Sequence, residues 1–163
     1  MDKHFELTDK FIINAFGVKL FQIKCTRKIK YANIGDLGGY IEKEDNLSGN
    51  AWVSGDAQVS GNAQVYGDAW VYGNAQVFGN AWVYGDARVS NNNEHCGFDC
   101  FGSANRHTHS YKTKSGKIEI TCGCFRGSIE EFEKQIKETH RGNEFERQYM
   151  AIVEVIKIKF GLK

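Results

Sequence analysis

A strict six-residue repeat occupies the middle of this sequence and constrains its fold more than any other feature. From Gly49 to Gly85, glycine recurs at every sixth position, each time followed by Asn or Asp and then by alanine. Valine follows two positions after each alanine, and the seven copies contain no insertion. Because one unit is too short to bury an apolar face alone, the repeat predicts a solenoid whose units stack on one another.

Each unit combines one short strand with one corner. In the strand, alanine and valine point inward and alternate with outward residues. At the corner, glycine accepts a positive φ and Asn or Asp bonds local backbone groups. Three units form a coil of about 18 residues, and the coils stack about 4.8 Å apart through parallel strands. The rival arrangement, an array of hairpins, would require Asn-Gly turns and variable strand lengths.

The spacing of small and aliphatic residues resembles that of the hexapeptide-repeat proteins over residues 41–90. This resemblance implies a left-handed parallel β-helix of about three coils, usually assembled as a homotrimer. Many such proteins are acyltransferases that carry a catalytic histidine on a coil or on an inserted loop. Residues 41–90 contain neither a histidine nor a loop, so we predict no catalytic residues and favour an acyltransferase least among the possible functions.

Stacking by 18 residues sorts the outward side chains onto three faces. Two of these faces carry six of the seven outward aromatic residues. Because a soluble monomer rarely exposes so large an apolar patch, we predict that they form the interface of a homotrimer. The predicted interface residues are Trp52, Trp70 and Tyr72 on the first face, and Tyr66, Trp82 and Tyr84 on the third. The alternative is that flanking segments of the same chain cover them.

Residues 1–40 predict a β-rich N-terminal cap. Phe11–Ile13 and Leu20–Cys25 have strand composition, and Gly17 supplies a turn between them. An uncovered solenoid end exposes unpaired backbone groups, so capping that end is the natural role of this segment.

Residues 91–163 predict a small α+β domain. Two strands, at 110–114 and 117–122, precede two helices. The first helix opens with a capping box at Ser128 and Glu131, and the second runs from about residue 144 to residue 159. The predicted fold class is therefore mainly β, with a cap at 1–40, a left-handed parallel β-helix at 41–90 and this α+β domain at 91–163.

Charge and composition exclude several functions. Lys and Arg total 21 and Asp and Glu total 20, a net charge of +1, which argues against nucleic-acid binding by bulk charge. No apolar run is long enough to span a membrane, and no signal peptide is visible. Five cysteines in a chain without a signal peptide predict reduced thiols and a cytoplasmic location.

A polar cluster in the C-terminal domain is the predicted ligand-binding site. Arginine and hydroxyl side chains are natural partners of phosphate, so the cluster predicts a small anionic or nucleotide ligand. The predicted ligand-binding residues are Ser103, Asn105, Arg106, His107, Thr108, Tyr111, Cys122, Cys124 and Phe125. The alternative is a solvated connecting loop.

The cysteines also raise the question of a zinc site. Cys96 and Cys100 have a spacing typical of zinc ligands, and histidines lie nearby, but Cys122 and Cys124 are closer together than is usual. Buried free thiols are the alternative. We predict no metal and no cofactor.

Motifs along nearly the whole chain resemble a group of bacteriophage and prophage accessory proteins. The motifs are Gly35–Glu42 before the repeat, then Gly102–Asn105, Tyr111–Lys114, Cys122–Gly127 and Thr139-His140. Ala104 departs from the group, whose tails often carry Arg there, although Arg106 lies nearby. The resemblance implies a phage-encoded protein of the host cytoplasm that sequesters a signal nucleotide or blocks a host defence protein.

These features favour a non-enzymatic binding protein. In this hypothesis a trimeric β-helix is a stalk whose C-terminal domains bind the small anionic ligand or the host protein. The alternative is a structural component of a virion or scaffold.

Overall fold

The computed structural model describes residues 3–162, and β-strands outnumber helices in it. The chain forms two compact units, with the boundary between Asn92 and Asn93. The N-terminal segment and the repeat share the first unit. None of the helices within residues 3–162 has the length and apolarity needed to cross a lipid bilayer.

Short strands make up the first unit. Three of them precede the repeat: β1 (Phe5–Ile13), β2 (Lys19–Cys25) and β3 (Leu37–Ile41). A single 3-10 turn, Glu44–Asn46, follows. The repeat then forms seven two-residue strands: Trp52–Val53 (β4), Gln58–Val59 (β5), Gln64–Val65 (β6), Trp70–Val71 (β7), Gln76–Val77 (β8), Trp82–Val83 (β9) and Arg88–Val89 (β10).

The repeat strands pair in parallel at a spacing of 18 residues. Trp52 pairs with Trp70 and Trp70 pairs with Arg88, so β4, β7 and β10 form one ladder. In the same way β5 pairs with β8, and β6 pairs with β9. The first unit is therefore a β-solenoid with three strands per coil, as the period of the repeat predicts.

The inward residues of the repeat form a continuous core. Every repeat alanine and valine is at most 3% exposed, from Ala51 to Val89. The corner glycines all have φ between 64 and 74°, the left-handed region that side chains other than that of glycine adopt at a cost. Each buried valine contributes about 1.5–3 kcal/mol of hydrophobic free energy, and this burial holds the coils together.

The N-terminal strands extend one sheet of the solenoid. Strand β3 pairs in parallel with β5, joining Tyr40 to Gln58, and the resulting sheet has the order β1-β2-β3-β5-β8. On β2, Ile23 is fully buried, and a Cβ on Gly38 would lie 2.5 Å from its Cγ1 atom. The same Cβ would lie 2.6 Å from the carbonyl oxygen of Val53, so β3 also packs closely against the first coil. Strand β1 begins at Phe5, well before the strand predicted at residue 11.

The first aromatic face of the solenoid is covered by the N-terminal segment of the same chain. Trp52 is only 2% exposed, and the ring of His4 lies 6.2 Å from it. Tyr31 stacks on Trp70 with a centroid distance of 5.1 Å, and the Arg88 guanidinium lies 4.4 Å from the Tyr31 ring. Trp52 therefore cannot be the subunit contact that the sequence predicts, because its own chain already buries it.

The third aromatic face carries a stacked pair. The rings of Tyr66 and Tyr84 lie 4.7 Å apart and nearly parallel, since the two residues occupy the same position in successive coils. Trp82 on this face is 40% exposed. Tyr66, Trp82 and Tyr84 stay predicted interface residues.

A buried histidine ties the N-terminal segment to the solenoid. His4 is 2% exposed, and its Nε2 atom lies 2.8 Å from the carbonyl oxygen of Ala51. Because a carbonyl only accepts, Nε2 carries the proton. Burial lowers the pKa of His4, and the positive charge of Arg27 lowers it further, so the ring is neutral near pH 7.

We expect His4→Gln to remove a pH-dependent part of the stability. With a pKa lowered in the folded state, His4 binds its proton more readily in the unfolded state, so its contribution is complete above about pH 6.5 and is lost as the pH falls below that value. Urea unfolding followed by tryptophan fluorescence from pH 8 to pH 5 measures this. The difference in unfolding free energy between wild type and His4→Gln should shrink with falling pH. A constant difference would contradict the prediction.

The second unit is a four-stranded antiparallel sheet with two helices. Its strands, which pair in chain order, are β11 (His95–Phe101), β12 (Arg106–Lys112), β13 (Ile118–Cys122) and β14 (Phe125–Gly127). The helices are α1 (Ile129–His140) and α2 (Glu144–Phe160). The predicted capping box is confirmed: Glu131 N–H donates to Ser128 Oγ at 3.2 Å, and Ser128 N–H donates to Glu131 Oε2 at 2.8 Å.

One face of this sheet packs against both helices. The buried core consists of Ile120 and Cys122 from β13, Ile129, Phe132 and Ile136 from α1, and Tyr149, Ile152, Val153 and Ile156 from α2. The sequence did not predict β11 or β14. Strand β11 contains two cysteines, a glycine and an aspartate rather than β-branched residues, and β14 is only three residues long.

Candidate functional site

The predicted ligand-binding residues do not converge on one site, because most of them belong to strands. Strand β12 begins at Arg106, so only residues 102–105 form the connection that the sequence extends to residue 109. Successive residues of a strand point to opposite faces of its sheet. Thr108 therefore points to the face that packs on the helices, while His107 and Tyr111 lie on the opposite face.

On the helix-facing side, the predicted site residues are part of the core. Thr108 Oγ1 donates to the sulfur of Cys122 at 3.3 Å, and the hydroxyl of Tyr149 donates to the carbonyl oxygen of Phe101 at 3.3 Å. Burial and the neighbouring Cys122 thiol raise the pKa of Tyr149 to about 12. The ring of Phe125 packs 5.0 Å from that of Phe132. Thr108 and Cys122 are thus buried in the core, and Phe125 is partly buried against it.

On the opposite face, three histidines lie side by side. The rings of His95 and His107 lie 5.3 and 5.7 Å from that of His109. His95 Nδ1 is 3.1 Å from His109 Nε2, and His107 Nδ1 is 2.7 Å from a carboxylate oxygen of Asp99. Nevertheless, no three His, Cys, Asp or Glu side chains are arranged to hold a metal ion within residues 3–162.

The pair formed by His107 and Asp99 has the hydrogen bond of a catalytic dyad but not its accessibility. A general base needs its second ring nitrogen within reach of the group it deprotonates. His107 Nε2 is buried, and a Cβ on Gly97 would lie 2.9 Å from it. Tyr111 is also fully buried, and its hydroxyl donates to Glu119 at 2.5 Å. On this face, carboxylates thus orient His107, through its Nδ1 atom, and the hydroxyl of Tyr111.

Some cysteines of the second unit are buried and others are exposed. Cys96 Sγ lies 3.0 Å from the hydroxyl of Ser110, and burial raises the pKa of the Cys96 thiol. Cys122 is buried, whereas Cys100 and Cys124 are exposed, and all are free thiols. Cys124 follows Gly123 in the two-residue turn between β13 and β14. The spacing of Cys122 and Cys124, which the sequence analysis found closer than is usual for zinc ligands, is thus the spacing of a tight hairpin, with a positive φ of 59° at Gly123.

Four of the predicted residues remain exposed together at one end of the sheet: Ser103, Asn105, Arg106 and Cys124. We call them the turn-end cluster. The Arg106 side chain lies against the backbone of Gly123, where an added Cβ would be 2.9 Å from both Cδ and Nη1. Among the described residues, the Arg106 guanidinium has no ion pair and no hydrogen bond.

Backbone contacts fix the turn that carries this cluster. Gly102 N–H donates to Gln148 Oε1 on α2 at 3.0 Å, and Asn105 N–H donates to the Gly102 carbonyl at 3.2 Å. Both Gly102 and Asn105 have positive φ. These bonds fix the backbone of the turn that carries the cluster.

A second candidate site, which sequence analysis missed, is a cleft in the first unit. It has a volume of about 800 Å³ and lies between the N-terminal segment and the first solenoid coil. Lys3 and Arg27 line it on one side, and Lys3 forms an ion pair with Glu44 on the other. Arg27 has no side-chain hydrogen bond or ion pair within residues 3–162. No local pattern could have indicated the cleft, because its walls are distant in sequence.

Comparison with known proteins supports the solenoid. A family model described as the YdcK Beta solenoid repeat matches residues 57–73 and again residues 63–79. No curated protein and no solved structure gives a significant match to the chain. Together with the parallel ladders, the match supports a β-solenoid repeat in the first unit. It concerns the repeat alone and carries no information about an activity.

Proposed function

We propose that this chain is a non-enzymatic, homo-oligomeric binding protein that holds a small anionic ligand at the turn-end cluster. The solenoid, which we take to be left-handed from its hexapeptide pattern, is the rigid part that presents the binding domain. The observation that carries the proposal is Arg106, an exposed guanidinium without an ion pair or hydrogen bond among residues 3–162, at the same end of the sheet as the exposed Ser103 and Asn105.

The chemistry of the cluster favours a phosphate or carboxylate group on the ligand. Guanidinium binds both groups through two parallel hydrogen bonds, and hydroxyl and amide groups donate further bonds to the remaining oxygens. A nucleobase would need an exposed aromatic ring for stacking, but Tyr111 is fully buried and Phe125 is only partly exposed and packs on Phe132. The ligand we propose is therefore recognised through its anionic group.

Two observations support a binding function over catalysis. The repeat has no histidine, and the hydrogen-bonded His107 in the second unit has its second ring nitrogen buried against Gly97. Recognition of an anion requires neither a nucleophile nor a base. An acyltransferase would need both an accessible histidine and an acyl-donor groove.

Arg106→Ala should weaken anion binding by about 10-fold to 100-fold, since a hydrogen bond to a charged group is worth about 1.5–3 kcal/mol. Isothermal titration of the whole chain with inorganic phosphate, citrate and nucleoside monophosphates measures this. Lys114→Ala, which removes the same charge from another exposed turn of the sheet, is the control and should bind normally. Equal losses in both variants would indicate a general charge effect and contradict the proposed site.

The cleft is the second candidate for the anion site, because Arg27 there also has no ion pair among residues 3–162. Arg27→Ala in the same titration distinguishes the two positions. A loss of binding in Arg27→Ala but not in Arg106→Ala would place the anion in the cleft and contradict the turn-end cluster. Binding by none of the anions would contradict the ligand-binding function as a whole.

The biological setting is also a proposal. From the motif order described above we infer a phage-encoded protein of the host cytoplasm that acts on host defence. The competing proposal, a structural component of a virion or scaffold, expects the chain in purified particles or in long polymers. Mass spectrometry of particles, and sizing of the purified chain, separate the two proposals.

A further inference from the structure

Helix α2 exposes a second apolar face that its own unit does not use. Its inner face buries Tyr149, Ile152, Val153 and Ile156 in the core. On the outer side, Val155 is 48% exposed and Ile158 is 77% exposed. A surface helix of a monomer normally has one apolar stripe, with polar residues opposite to it. The outer apolar residues of α2 therefore require another explanation.

These outer residues have the spacing of a coiled-coil seam. Ala151, Val155, Ile158 and Leu162 follow one another at intervals of four, three and four residues, and all are exposed. Within the helix, Ala151, Val155 and Ile158 show the alternation of the d and a positions of a heptad, with Val155 at a and Ile158 at d. Leu162 follows just beyond the helix end at Phe160. We call these four residues the α2 seam.

The C-terminal end of the helix adds Leu162 to the seam. Gly161 takes the left-handed conformation, and its N–H bonds the carbonyl of Ile158 at 3.2 Å. The N–H of Leu162 bonds the carbonyl of Lys157 at 2.9 Å. This capping arrangement turns the chain back and usually brings the following apolar side chain against the last turn. Leu162, 44% exposed, thus adds one more exposed apolar side chain at this end of the helix.

We infer that the α2 seam is a contact between copies of this chain, in which α2 of a second copy lies parallel to it. The charges beside the seam favour this occupant and this direction. With Val155 at a, Glu154 occupies g and Lys159 occupies e, and in a parallel pair each g residue faces the e residue five positions later in the partner helix. Each Glu154 would therefore meet a Lys159 of the second copy.

An antiparallel pair would not bring these charges together. In that arrangement g faces g and e faces e, so Glu154 would meet Gly161 and Lys159 would meet Ile152 of the second copy. Glu154 is also free to turn toward a partner helix. Its side chain is 62% exposed, and its neighbour Lys157 has a closer partner, at 2.6 Å, in Glu133.

This inference rests on the proposed self-association but not on ligand binding. It moves the contact between copies away from the first aromatic face of the solenoid, which the N-terminal segment covers. Sedimentation velocity of the whole chain over a range of concentrations tests it. Ile158→Glu should weaken association at least about 10-fold, because it inserts a charge at the centre of the seam.

Ile34→Glu is the matched control, since Ile34 is 71% exposed in the first unit and lies outside the seam. We expect it to associate as the wild type does, and circular dichroism should show both variants folded. A monomeric wild type would contradict the proposed self-association as well as the seam. A wild type that assembles while Ile158→Glu assembles equally well would overturn the seam alone.

Charge exchange tests the direction of the helices. Glu154→Lys and Lys159→Glu should each weaken association, because each places like charges opposite one another in the parallel pair. The double variant Glu154→Lys/Lys159→Glu restores opposite charges and should regain association. Failure of the double variant to recover, after both single variants have weakened, would overturn the parallel arrangement.

Discussion

Alanine at Gly73 should destabilise the solenoid by at least about 3 kcal/mol, whereas alanine at Gly79 should cost only about 1–2 kcal/mol. The two glycines are equivalent corners of the repeat, with φ of 64 and 68°. Both variants place a side chain in the left-handed region, and the free energy lost through this backbone strain is the same for the two.

The difference arises from what lies above each corner. A Cβ on Gly73 would be 2.4 Å from the carbonyl oxygen of Ser90 in the next coil, whereas a Cβ on Gly79 has no atom within 4 Å. A backbone oxygen held in a parallel ladder cannot move away as the end of a flexible side chain could. At Gly73 the added methyl group therefore forces the two coils apart.

Urea unfolding followed by tryptophan fluorescence measures both variants, since Trp52, Trp70 and Trp82 all belong to the solenoid. The Gly79→Ala variant is the control for backbone strain alone. Equal losses at the two glycines would contradict the argument, because they would mean that contact between coils adds nothing to the requirement for glycine.

Tyr149→Ala should destabilise the second unit by about 3–5 kcal/mol, and Tyr149→Phe by only about 1 kcal/mol. Tyr149 is 5% exposed at the centre of the core. Its ring stacks on His140 at 5.5 Å and meets Phe132 edge-on at 5.9 Å. Alanine leaves a cavity among these rings, whereas phenylalanine keeps the ring and loses the hydrogen bond to the Phe101 carbonyl.

Amide hydrogen exchange in β13, α1 and α2 measures the stability of this unit directly. Lys134→Ala is the control, because it shortens a side chain of α1 that is 76% exposed and lies outside both the core and the α2 seam. It should change exchange little. If Tyr149→Phe proved as damaging as Tyr149→Ala, the hydroxyl group rather than ring packing would dominate, contrary to this account.

Local sequence patterns predicted only part of the candidate site. The sequence indicated Arg106, Ser103 and Asn105, and these residues are exposed together. It also grouped Thr108 and Tyr111 with them, but strand alternation sends these two to opposite faces of the sheet. The grouping went wrong because the sequence did not reveal β11, whose pairing places Arg106 at the start of a strand.

By itself, the sequence determined the elements whose interactions are local or periodic. The six-residue period predicted the three-strand coil, because each inward alanine and valine packs on its equivalents 18 residues away. The capping box at Ser128 and the spacing of apolar residues predicted both helices. These features depend on residues a few positions apart, or on one distance repeated many times.

Only the tertiary structure decided how non-repeating residues meet across long stretches of chain. It placed His4 and Tyr31 over the first aromatic face, formed the cleft beside Arg27, and left the outer face of α2 exposed. Each of these outcomes depends on which segment buries the most apolar surface against another, a choice made once for the whole fold. No short-range sequence pattern indicates which distant segments pack together. The sequence therefore predicted the alternatives but could not select among them.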